Sequence, residues 1–313
     1  MTQEELPLPN LLRPVDKKRC DYVQTLVEFD PLANEKWYIH SVLAQCFLPY
    51  RDQKDEIFWN RENGNVTLNV TAGQAKNQSG KMVTLGLPYG AKPRLFLSKI
   101  QTEAIRNQSP VIPVETSMTG MMKDLGFKIT GGKQGTIGKF KEQTSRLAAC
   151  RFRIIHDQKG AAGTLSRNVN ADIFRSFELW FPTHPNQQTL WPTEIKLTDD
   201  FYENLKEHAI PYDFRGLKHI QNNARAIDIY LWMTQRLYRI PRNKPLFLKW
   251  KHLYEMFGGG ISNSKNFPSN FKKALLAART AYPEARIEEA KEGFIFKASP
   301  SPIPKTRIGY GDK

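Results

Sequence analysis

One architectural unit occurs twice in this sequence, with the same punctuation each time. Each copy reads as a long amphipathic helix, a short Pro-flanked strand, a short helix followed by glycines, a basic helix and a hairpin. In the first copy these fall at residues 93–108, 111–114, 117–125, Thr136–Ala149 and, for two hairpin strands, 151–181. In the second they fall at 225–239, 246–250, 251–257, Phe267–Ala281 and 285–298. A helix, a turn, a basic helix and then a β-hairpin is the order of a winged helix-turn-helix, whose third helix enters a DNA groove. The expected fold class is therefore α+β, with tandem winged helix-turn-helix domains and a small β-containing N-terminal extension. Two such units on one chain imply a grip on one duplex at two places.

Charge supports a polyanionic partner. The formal net charge is +15. Residues 128–160 hold Lys128, Lys133, Lys139, Lys141, Arg146, Arg151, Arg153 and Lys159 against Glu142 and Asp157, a net of +6. Residues 242–279 hold Arg242, Lys244, Lys249, Lys251, Lys265, Lys272, Lys273 and Arg279 against Glu255, a net of +7. Both windows contain the basic helix of a unit, and a merely soluble surface would scatter both signs. Three cysteines, Cys20, Cys46 and Cys150, are odd in number and far apart. They form neither a metal-ligand pair nor a disulfide framework, which fits a reducing compartment. The N-terminus lacks an apolar leader and no apolar run approaches spanning length, so a cytoplasmic, nucleoid- or plasmid-associated protein without membrane contact is expected.

At 313 residues the chain has room for two ordinary domains or one large one. The expected division is a disordered tail at 1–20, a β-rich extension at 21–85, winged-helix domains at 86–189 and 190–299, and a disordered tail at 300–313. Within the extension, Asn63-Gly64 before the alternating residues 65–70 is a hairpin signal, while 71–81 reads as loop. Between the units a strand at 194–197 precedes a helix at 201–208 capped near Thr198 or Asp199.

The basic helices carry the expected DNA contacts. In the first, Ile137, Phe140, Thr144, Leu147 and Ala148 form an apolar stripe, and Lys139, Gln143 and Arg146 fall opposite, with Lys141 alongside. Lys133 and Thr136 lie in and after a glycine turn that brings the helix N-terminus toward phosphate. In the second, Phe267, Phe271, Ala274, Leu275, Ala278 and Tyr282 form the stripe. Asn266, Ser269, Asn270, Lys273 and Thr280 form the polar face, with Lys272 adjacent and Lys265 and Arg279 at the ends. Cations suit phosphate and guanine edges, while amides suit adenine. The first hairpin has a long tip at 157–171 with Lys159 and Arg167, fit to reach a minor groove; the second is acidic at Glu288, Glu289 and Glu292 and unsuited to DNA.

Other chemistries lack their signatures. Gly131-Gly132-Lys133-Gln134-Gly135-Thr136 fails the phosphate-loop spacing. The six histidines never form a close pair, so the paired-histidine metal site of a nicking enzyme is absent. Asp199-Asp200 reads as a helix start and Glu288-Glu289 as a solvated turn, not as a two-metal site. Tyr230, Trp232, Tyr238 and Trp250 read as core. Neither a catalytic residue, a cofactor nor a metal is expected. A single basic helix would read equally well as a solvated face; its recurrence at equivalent places favours binding.

The stretch from Gly86 to Leu97, GLPYGAKPRLFL, resembles the plasmid-encoded RepA replication-initiator family, with TrfA-type initiators as relatives. Thr102 to Arg106, Gly131-Gly132 to Gly135-Thr136, Ala226 to Tyr230 and Tyr282 to Arg286 extend the match, over about 40–302. The resemblance implies a protein that binds repeated double-stranded sites (iterons) at a plasmid origin, promotes duplex opening and recruits host factors, namely the host replication initiator and the replicative helicase. It also implies a homodimer that dissociates to a DNA-binding monomer. A winged-helix transcriptional repressor is the alternative, and an origin-nicking enzyme a more distant one.

Overall fold

The computed structural model describes residues 17–77, 79–113, 117–132, 135–160, 163–169, 172–176 and 194–303, and side chains for all of these except 17–21, 156–160, 163–169 and 176. The described residues open with α1 (Lys17–Glu28), β1 (Lys36–His40), β2 (Phe58–Asn63), β3 (Val66–Thr71), β4 (Gln74–Lys76) and β5 (Met82–Thr84). Then come α2 (Ala91–Arg106), β6 (Val111–Pro113), α3 (Met118–Asp124), α4 (Thr136–Ala149), β7 (Arg151–Gly160), β8 (Gly163–Val169) and β9 (Phe174–Ser176). β10 (Glu194–Leu197), α5 (Asp199–His208), β11 (Ala209–Asp213) and α6 (Phe214–His219) follow. The last run is α7 (Ala224–Arg236), β12 (Leu246–Lys249), α8 (Trp250–Phe257), α9 (Phe267–Ala281), β13 (Ile287–Ala290) and β14 (Gly293–Phe296). The strands form small antiparallel sheets of order β1-β11, β2-β3-β7-β8, β4-β5, β6-β10-β9 and β12-β14-β13. The class is α+β.

Local chemistry explains the helix ends. The Thr198 hydroxyl accepts from the Phe201 N–H at 3.3 Å and opens α5. Asn223 does the same for α7, accepting from Ala226 at 3.1 Å. Gly90, at φ 77°, turns the chain into α2, where Pro93 sits in the first turn and costs no intrahelical bond.

Several local readings change in the fold. The hairpin strands β7 and β8 do not pair with β6. β7 joins the N-terminal extension, because Phe152 and Ile154 lie opposite Val70 and Leu68 of β3 and all four are buried. The expected loop tip at 157–171 is largely ladder, since β7 and β8 stay paired out to Gly160 opposite Gly163. The strand read as a link between units instead pairs with β6 and β9. Residues 74–76, within the expected loop at 71–81, pair with 82–84 in a hairpin, with the Asn77 side chain accepting from the Ser79 and Lys81 N–H groups at 3.0 Å. The Asn63-Gly64 turn is displaced by one residue: Asn63 pairs with Val66, so Gly64, at φ 65°, is the first turn residue. Sequence periodicity also passed over β11, α6 and α1, whose helix runs through the first residues of the extension expected to be β-rich, and it did not single out β1 among the strands expected there.

The two tails fall mostly outside the described residues. Lys17 to Cys20 nevertheless belong to α1. Pro300 to Ile303 lie against the body: the Tyr282 hydroxyl donates to the Pro300 carbonyl and Ile303 is buried.

The halves share one continuous core. At its centre the Arg94 guanidinium of α2 grips Asp228 of α7 through Nε to Oδ1 at 2.7 Å and Nη2 to Oδ2 at 2.8 Å. Arg94 also donates to the carbonyls of Leu48, Pro49 and Gly90. Tyr50 is packed between Arg94 and Arg225, whose guanidinium carbons lie 5.1 and 4.7 Å from its ring centre. Arg225 in turn donates to the carbonyls of Phe257, the last residue of α8, and of Gly259, both at 2.9 Å. The N-terminal extension is thereby a clamp on both halves.

Candidate nucleic-acid interface

An aromatic cluster fixes α9. Phe267 and Phe271, four residues apart, are both buried. The Trp250 ring meets Phe267, Phe271 and Phe294 edge-on at 6.3, 6.1 and 5.4 Å. Phe257 of α8 adds a contact to Phe271 at 5.6 Å, and Trp232 of α7 lies behind Phe257 and Phe296. With that face committed to the core, Asn266, Ser269, Asn270 and Lys273 are left exposed together, with Lys265 just before the helix. The Asn263 side chain accepts from the Lys265 N–H at 3.0 Å and shapes the approach. Asn270 spends one amide proton on the Asn266 carbonyl at 2.8 Å.

The remaining second-helix positions turn toward the hairpin. Lys272 is exposed but pairs with Glu289 of β13 at 2.5 Å. Lys297 pairs with Glu288, so two acids of the hairpin are neutralised within the protein. Arg279 is half-buried, and burial holds its pKa below the ordinary guanidinium range. Thr280, expected on the polar face, is buried and donates to the Ala277 carbonyl at 2.7 Å. Tyr230 and Trp232 are core residues and Trp250 is half-buried, whereas Tyr238, also expected in the core, is exposed.

The first basic helix is more heavily engaged. Lys139 and Glu142 are exposed, and Lys141 is half-buried, with its pKa lowered by burial. Gln143 is buried and its Oε1 accepts from the Tyr89 N–H at 2.7 Å. Arg146 bonds Asp52 and the Leu87 carbonyl at 3.0 and 3.1 Å, pairs with Glu142 at 2.8 Å, and lies over the Tyr89 ring. Its hydrogen bond holds the Asp52 carboxyl below the usual carboxylate range. Both side chains therefore fasten the segment at 86–90 and the loop at 52 onto α4. The Thr136 hydroxyl donates to Lys128 O at 2.6 Å and accepts from Thr130 N–H, while its own N–H goes to the Thr130 hydroxyl at 2.9 Å. That N–H is not free for phosphate. Lys133 lies outside the described residues. For Lys159 and Arg167 the described part is backbone, opposite Thr164 and His156.

Gln143→Leu is expected to cost about 1–3 kcal/mol in thermal unfolding, by stranding the Tyr89 N–H. Its discrimination between specific and scrambled duplexes should stay unchanged. Lost discrimination at full stability would overturn this placement.

Among the described residues no His/Cys/Asp/Glu group is arranged to hold a metal ion, and no helix is long and apolar enough to cross a membrane. Burial pushes the Cys46 thiol up to about 12 and raises Cys150 as well, which suits packing and not nucleophilic attack. The buried His40 ring is bonded on both nitrogens, by the Val42 N–H at 3.2 Å and to Asn204 Oδ1 at 2.6 Å.

Comparison with curated proteins finds no match. Two crystal structures of domains 2 and 3 of RctB, one of a selenomethionine derivative, superpose with a TM-score of 0.48 and 10% identity. They cover 82% of this chain, and 98% and 94% of theirs. Residues 87–251 match the family described as plasmid encoded RepA protein. That span is more than half of the sequence, and the chain belongs to the plasmid-encoded RepA family.

Proposed function

We propose that this chain initiates replication of its plasmid by binding repeated double-stranded origin sites through two winged-helix units. The observation that carries the reading is a repeated strand order, β6-β10-β9 and β12-β14-β13, each sheet having its first strand before, and its other two strands after, a helix pair whose second member is basic. In this reading the first unit runs from α2 to β10 with the β7–β8 hairpin inserted, and the second from α7 to β14. The expected divisions at 86–189 and 190–299 shift accordingly, the first unit closing at Leu197. Lys265 and Lys273 contact phosphate, while Asn266, Ser269 and Asn270 face base edges. Lys139 is the exposed cation of α4, and Lys133, Lys159 and Arg167 join the contact set on sequence grounds.

The chain makes and breaks no covalent bond in this scheme. Copies bound to successive repeats bend the duplex, and strain collects at flexible A·T-rich steps. The opened strands then receive the host initiator and replicative helicase. A homodimer gives way to DNA-binding monomers, in the cytoplasm where the plasmid lies. Family membership supports the plasmid context, and the exposed face of α9 supports the contact.

Footprinting on the DNA flanking the gene tests the geometry. One chain should protect roughly 20 bp, with contacts on one face about 34–36 Å apart. Supercoiled origin DNA with protein, Mg²⁺ and ATP should show unpaired bases without a nick. A single half-turn contact would sink the tandem reading, and a protein-linked DNA end would sink the non-catalytic one.

A further inference from the structure

On the flank of α9 that faces β13 lies a groove beside, and separate from, the Asn266–Ser269–Asn270 face. Its cavity of about 180 Å³ has Leu276, Ile287 and Phe294 as floor and Lys272, Lys273 and Arg279 as rim. Lys272 is satisfied by Glu289. Arg279 differs: its guanidinium is half withdrawn from water, yet it has no ion pair or hydrogen bond among the described residues. A guanidinium in that position gives up hydration without return unless a carboxylate joins it. The groove thus asks for a ligand with apolar side chains and an acidic group close together.

The chain itself holds such a segment. Residues 1–16, outside the described part, include Glu4, Glu5, Leu6, Leu8, Leu11 and Leu12. Pro7 and Pro9 remove two backbone donors, which suits docking by side chains better than addition to a strand edge. The chain resumes at Lys17 as α1, and α1 packs against α9. Residues 6–16 can span roughly 36–40 Å when extended, and α9 is only about 22 Å long. Leu6 therefore has the reach to any point on that flank.

We propose that residues 4–12 of this chain dock in this groove, with leucines on Leu276, Ile287 and Phe294 and a Glu4 or Glu5 carboxylate on Arg279. The proposal shares Lys273 of the rim with the DNA reading, but its test changes no residue that the proposed function places on DNA. Its test is cross-linking of the full chain carrying Cys20→Ser, Leu6→Cys and Leu276→Cys with a short bis-maleimide; Cys46 and Cys150 are buried. A cross-link within one chain, identified by peptide mass spectrometry, is expected. Adding Arg279→Glu should cut its yield about tenfold, the loss of one charge-assisted contact. The pair Leu6→Cys with Asn60→Cys, an exposed site on β2, should stay at background. Leu8→Cys with Ile287→Cys repeats the test on β13, in case the α9 variant unfolds. Equal yields at the groove and at Asn60, or a yield indifferent to Arg279→Glu, would overturn the proposal. Cross-links between two chains would assign the groove to a second copy and overturn it equally.

Discussion

Replacing Arg94 with alanine should destabilise the chain by about 3–5 kcal/mol, a fall of roughly 10 °C in Tm. The size follows from what is stranded. Arg94 and Asp228 are 5% and 2% exposed, so the variant leaves a carboxylate without counter-charge in the core and frees the carbonyls of Leu48, Pro49 and Gly90. Burial already holds the Asp228 carboxyl above the ordinary carboxylate range, against the pull of Arg94. Without Arg94 it rises further, so the folded variant prefers the protonated acid. Its stability deficit is therefore full above that raised pKa and shrinks as pH falls below it. Denaturant titrations of both proteins across acidic and neutral pH measure this. A loss below about 1 kcal/mol, or a deficit that grows on acidification, would contradict the buried pair. Arg94→Met with Asp228→Leu should recover much of the loss, since an apolar pair strands no charge.

The second large effect concerns DNA. Lys265→Ala with Lys273→Ala should lower affinity for every duplex by roughly 100-fold at low salt, two charged contacts being lost. The slope of log affinity against log salt should shrink by about 2. Both lysines are exposed and neither has an ion pair among the described residues. Lys272→Ala should cost less, because Glu289 already holds that ammonium. Asn270→Ala should leave the slope alone and relax base preference by about 1–3 kcal/mol. Anisotropy titrations on specific and scrambled duplexes at several salt concentrations separate these outcomes. An unchanged slope in the double variant would remove both lysines from the interface.

What periodicity encodes was legible, and what tertiary packing decides was not. The bounds of α4 and α9 match the residues, because apolar spacing and a Pro268 start mark them directly. The buried Phe267, Phe271 and Ala278 likewise follow the stripe. Gln143 and Arg146 share the helical face of Lys139, yet they are drawn inward by the segment at 86–90, which no count along α4 reveals. The partner of β7 was equally hidden. A strand following a helix is normally read as its wing, and only the complementary apolar face of β3 diverts it. β1 and β11 are short, and their pairing spans most of the chain.

That last pattern bears on how the protein is made. β1 pairs with residues 209–213, and β3 with residues 151–156. β1 cannot find its partner, nor β3 its second neighbour beyond β2, until the ribosome has delivered a distant stretch of polypeptide. The extension at the front of the chain is thus among the last parts to settle, and its loop closures slow the acquisition of structure. The unpaired edges of β2–β3 and β1 remain open to other nascent chains in the interval. Synthesis stopped short of β11 leaves a product with a strand that has nowhere to go.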